Sequence, residues 1–186
     1  MDLTHLPEEA AAVLRFWFEE CQPAQWWKVE AGFDAEIARR FGELHRRAAA
    51  GELSAWRATP AGRLAEILVL DQFSRNLFRG QARAFAQDAM ALVLAQEALA
   101  AGAAEALPEA ARQFLLLPLM HSESSAVHEQ AEPLFARYGT PGTQDFERRH
   151  ADIVARFGRY PHRNELLGRP STPEELAFLQ QPGSRF

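Results

Sequence analysis

The stretch LAEILVLDQFSRNLFRG, residues 64–80, decides the fold. At about 100° per residue, a helix places Leu64, Leu68, Asp71 and Arg75 within about 60° of one another. Val69, Phe73 and Leu77 occupy another side, so the helix is apolar nearly all round and belongs inside the protein. Thr59 and Pro60 precede it as an N-cap and a first-turn proline. A carboxylate and a guanidinium on such a face cost several kcal/mol unless paired and hydrogen-bonded. Either Asp71 and Arg75 form an i,i+4 ion pair that fixes the packing, or Asp71, Gln72, Arg75 and Asn76 form one wall of a polar pocket.

Helix signals recur on both sides. Residues 7–20 open with an acidic first turn and carry Val13, Leu14, Phe16, Trp17 and Phe18. Phe33, Ile37, Phe41 and Leu44 share a face of a helix that Gly51 stops. A further helix covers 83–101, and the next begins at Pro108 and is kinked or ended at Pro118. Helices also fit 123–138 and 143–157, and Thr172 to Glu175 is a capping box that opens a short last one. Val and Ile together number nine of 186 residues whereas alanine is abundant, which favours helix over strand. The expectation is a single all-α domain over residues 1–186, with seven to eight helices packed as helical hairpins. That describes a tetratricopeptide-like array or an irregular bundle; no clean 34-residue self-similarity supports a repeat.

Net charge is −5, so bulk electrostatics favour neither nucleic acid nor an anionic membrane. Cys21 stands alone, which excludes an internal disulfide and a cysteine zinc site and suggests a reducing compartment. The N-terminus has no basic leader, and nowhere do about eighteen apolar residues run together. These features predict a soluble, cytoplasmic protein.

Three further segments put polar groups where core is expected. Phe146, His150, Ile153 and Phe157 form one helical stripe, so His150 faces inward. His121, Ser122 and Glu123 follow directly on the apolar run FLLLPLM. The segment RFGRYPHRNELLGRPSTPEE, residues 156–175, gathers Arg159, His162, Arg163 and Asn164 around a stiff Tyr160-Pro161. A single shared polar cavity accounts for all of them. The loop is expected to fold back over helix 64–80, bringing Arg159 or Arg163 to Asp71 or Glu123.

LDQFSRNLFRG, LPLMHSE and RFGRYPHRNELLGRPSTPEE, with VLRFWF and WW near the N-terminus, resemble the bacterial family catalogued as domain of unknown function 924. The resemblance covers essentially the whole chain. It implies an all-α, tetratricopeptide-like fold and brings no established activity, substrate or cofactor. It points to Asp71, Gln72, Arg75, Asn76, His121, Ser122, Glu123, His150, Arg159, His162, Arg163 and Asn164, and assigns none of them a role.

The first functional reading is a binding module whose helical hairpins hold a peptide or protein partner, with FWF at 16–18 and WW at 26–27 as anchors. The alternative is an enzyme or binder for a small carboxylate- or phosphate-bearing molecule. Arginine forks would grip the anion while Asp71 or Glu123 orients His121 or His150. No Gly-rich phosphate loop or G-x-S-x-G elbow is present. A metal site from His121, Glu123, His150 and His162 is disfavoured, because the arginines repel a cation. No cofactor and no nucleic acid is implied.

Overall fold

A computed structural model describes residues 1–185. Among them every regular element is helical. In chain order these are α1 (Glu8–Arg15), α2 (Ala31–Ala49), α3 (Pro60–Leu77), α4 (Asp88–Ala100) and α5 (Ala103–Ala106). Then follow α6 (Glu109–Met120), α7 (Ser125–Tyr138), α8 (Pro141–Phe157) and α9 (Pro173–Phe178). Short 3-10 turns join several of them, and a π turn over Phe16–Glu20 extends α1. Pro118 lies inside α6, which stops two residues later at Met120. None of the described helices is long and apolar enough to cross a membrane.

Helix α3 is the axis. It packs against α1, α2, α4, α5 and α6, which makes this part of the molecule a bundle around one central helix. Leu64, Ala65, Ile67, Leu68, Val69, Leu70 and Phe73 are all fully buried, as the all-round apolar pattern requires. Thr59 caps it by accepting from the Gly62 N–H at 3.1 Å. Gly62 has no room for a side chain, since a Cβ there would meet the Trp56 carbonyl oxygen at 2.0 Å. Phe16, Trp17, Phe41 and Phe73 pack ring to ring, and Trp17 meets Phe114 edge-on at 5.5 Å. Of the aromatic residues offered as anchors, Phe16 and Trp17 are core, whereas Trp27 is 59% exposed over Phe114.

A second, smaller core forms where α6, α7 and α8 pack together and residues 158–175 return across them. Its apolar members are Ile153, Val154 and Tyr160, with Phe157 and Phe178 partly buried beside them. The stripe read on α8 is shorter than expected. His150 and Ile153 are buried, but Phe146 is 51% exposed.

Candidate functional site

Since α3 is buried on every side, each polar residue on it needs a partner. Glu66 is held by a two-pronged bond from Arg57, both contacts at 2.7 Å. Ser74 donates to the Leu70 carbonyl and meets His45 Nε2 at 2.8 Å. Asp71, 1% exposed, lies at the middle of the polar centre. Its Oδ2 accepts from Gln72 Nε2 at 2.6 Å, and its Oδ1 lies 2.7 Å from His121 Nδ1. Burial alone would push the Asp71 carboxyl up. The charges of His121 and Arg75, with the bonds from His121 and Gln72, hold it well below the usual carboxylate range.

An ionised carboxylate only accepts, so His121 donates through Nδ1. The other ring nitrogen, Nε2, makes no hydrogen bond among the described residues, and the side chain keeps 18% of its surface exposed. His121 can stand there because α6 ends at Met120, beside the middle of α3.

Arg75 forms the i,i+4 pair with Asp71 that its spacing predicts, and it has a second, closer partner. Arg75 and Asp71 are 3.6 Å apart, while Arg75 grips Asp88 with contacts of 2.5 and 2.9 Å. Asp88 sits in the first turn of α4 and also receives Arg163 Nη1 at 3.2 Å. Two guanidinium groups therefore share one carboxylate. Burial pulls both arginines down; Asp71 and Asp88 more than restore Arg75, but Arg163 stays below the ordinary arginine value. Arg163 lies between the rings of Phe85 and Tyr160, each 4.6 Å away, and its Nη2 donates to the His121 carbonyl at 3.1 Å. Its Nε is buried and has no hydrogen-bond partner among the described residues.

The loop does fold back, but on other partners than those expected. Neither Arg159 nor Arg163 pairs with Asp71 or Glu123 among the described residues. Arg159 holds the buried capping-box residue Glu175 at 2.7 and 2.9 Å. Glu123 is taken by Arg169, at 2.6 and 2.9 Å, and by the Tyr160 N–H at 2.7 Å. The reason is reach: Tyr160 and Pro161 are the buried plug of the loop, so the arginine after them lands on Asp88 of α4 and the one before them on Glu175 of α9. Tyr160 is fully buried, and its hydroxyl donates to the Met120 carbonyl at 2.5 Å.

Asp71, Gln72, Arg75, His121 and Arg163 thus come together, joined by Asp88. His150 and His162 lie against Tyr160, with ring centroids 5.6 and 5.7 Å away. Burial pushes the His150 imidazole down to about 3 and that of His162 down to about 4. His150 Nδ1 donates to the Phe146 carbonyl at 2.7 Å. Besides Arg159 and Glu123, three candidates stand apart. Asn76 donates to Asp34 on α2, Asn164 bonds Ser171 and Arg169 within the loop, and the Ser122 hydroxyl accepts from the Ser124 N–H. Sequence reasoning missed Asp88, Tyr160, Arg169 and the buried pair of His128 and Glu147. For the last two a signal existed: His128 shares a helical stripe with Ala131 and Phe135, and Glu147 shares one with His150 and Val154.

Fold and centre together define a class: an all-α protein whose central helix presents a carboxylate to a histidine, beside two arginines that share a second carboxylate. The chain belongs to the family described as bacterial protein of unknown function, DUF924, whose pattern matches residues 13–183. It is similar to the solved structure of a protein of unknown function from Agrobacterium tumefaciens, at 38% identity and a TM-score of 0.89. That match covers 96% of this chain and 99% of the other. No curated protein matches the chain.

Proposed function

We propose that the centre binds a small molecule carrying a carboxylate or phosphate and moves a proton at His121 Nε2. One observation carries the reading: a buried, ionised carboxylate holds Nδ1 of a partly exposed imidazole whose Nε2 is uncommitted. That arrangement fixes the tautomer and the ring plane, as a general base requires. When a bound X–H group meets Nε2, the X–H bond breaks, the N–H bond forms, and the electron pair remains on X. Asp71 keeps its charge and stabilises the imidazolium. The negative charge left on X is offset by the imidazolium that forms and by Arg163, whose carboxylate partner Asp88 is shared with Arg75.

The test is the response of the melting temperature to inorganic phosphate and to a panel of small mono- and dicarboxylates. Wild type is expected to gain stability with at least one of these. His121→Gln and Arg163→Lys, both keeping a polar group in place, are expected to lose the gain. A panel without effect on wild type overturns the reading, and so does a His121→Gln protein that responds as wild type does.

A further inference from the structure

A second place in the molecule has the opposite chemistry and is independent of the Asp71–His121 centre. Helices α7 and α8 leave a groove of about 640 Å³ between them. Glu129, Glu132 and Asp152 line it, and all three are exposed. Arg148 also lines it, and its guanidinium is shared between Asp145, at 2.6 Å, and Asp152, at 3.7 Å. Acids clustered on a surface are ordinary. What distinguishes this groove is Glu147, which lines it while being only 4% exposed. Its Oε1 lies 2.6 Å from His128 Nδ1, whereas its Oε2 is buried with no hydrogen-bond partner among the described residues. A carboxylate oxygen so placed lacks a donor and costs free energy until one arrives.

We infer that the α7–α8 groove is a docking site for a basic peptide segment, with one lysine or arginine side chain donating to Glu147 Oε2. Charge complementarity acts at two depths. Exposed Glu129, Glu132 and Asp152 draw in a positively charged chain, and the buried oxygen selects a side chain long enough to reach it. A peptide fits better than a compact amine because the acids are spread along two helices rather than gathered round one point.

The experiment is fluorescence anisotropy with a labelled decapeptide of alternating lysine and alanine, at about physiological salt. Wild type is expected to bind it, and the Glu129→Gln, Glu132→Gln double variant at least tenfold more weakly. Glu147→Gln keeps an acceptor for His128 but turns the second oxygen into a donor, so it should also lose at least tenfold. Neutralising two exposed acids elsewhere, Glu97→Gln with Glu109→Gln, is expected to leave affinity unchanged. Spermidine is expected to compete only weakly. Equal losses in the control variant, no loss with Glu147→Gln, or spermidine binding as tightly as the peptide would each overturn the inference.

Discussion

Around Phe73 the interior is made of rings and aliphatic side chains, drawn from α1, α2, α3 and α6. Around Tyr160 it is made of imidazoles, carboxylates and a guanidinium, with few aliphatic groups. The first core gains its free energy from area removed from water, which is non-directional and tolerant of small shifts. The second depends on pairs whose partners come from far along the chain, such as Arg163 with Asp88 and Arg169 with Glu123. Buried pairs of this kind are poor sources of net stability, but they define one arrangement sharply. Groups able to exchange protons or grip ions are concentrated in and beside the second core.

Substitution in the two cores should separate them. The largest loss is expected from Phe73→Ala, about 3–5 kcal/mol in urea unfolding, because the site is fully buried on the central helix. A loss below about 1 kcal/mol would mean that the aromatic cluster is not what holds the bundle together. In the polar core, Arg75→Ala should cost less, about 1–3 kcal/mol. Pairing Asp71 with Arg75 alone, as the sequence suggests, would predict about 3–5 kcal/mol. In the structure Asp71 keeps His121 and Gln72, and Asp88 keeps Arg163, so neither carboxylate is stranded.

Acid should weaken the second core. His150 and His162 have folded-state values depressed to about 3 and about 4, so the unfolded chain takes up their protons first as pH falls below about 6.5. Their contribution is therefore present above about pH 6.5 and declines as pH falls toward about 4, by up to roughly 1.4 kcal/mol per pH unit for each group. Asp71 is depressed as well, so its share is lost only at lower pH, below the ordinary aspartate value. Urea melts at several pH values should show this slope, and His150→Gln should reduce it by one proton while Phe73→Ala leaves it unchanged. The smallest effect belongs to surface pairs such as Arg46 with Glu43: Arg46→Ala should leave the melt unchanged, and a clear loss would show that more of the stability is electrostatic than this account allows.

How much of this could be read in advance follows the same division. The burial of α3, the cap at Thr59 and the inward turn of His121 rest on local periodicity and local chemistry, which a sequence displays. The partners do not. Asp88 opens a helix, where an acid is unremarkable, and nothing nearby in the sequence marks it as the shared partner of Arg75 and Arg163. Arg169 lies beyond the cluster of Arg159, His162, Arg163 and Asn164, yet it, not Arg159, reaches Glu123. Which cation meets which carboxylate is decided by the path of the backbone through Tyr160 and Pro161, a property of the folded chain. His128 and Glu147 were legible as core-facing by spacing, though their pairing was not.

The central claim is that Asp71 holds His121 by Nδ1 and leaves Nε2 for a ligand. Long-range proton–nitrogen NMR of the imidazole rings at about pH 8 tests it directly, because it identifies which ring nitrogen carries the proton. The account predicts His121 with its proton on Nδ1 in wild type, an Nε2 resonance that shifts on adding a stabilising anion, and a changed tautomer balance in Asp71→Asn. A His121 protonated on Nε2 in wild type, or a ring indifferent to both the anion and Asp71→Asn, would contradict it.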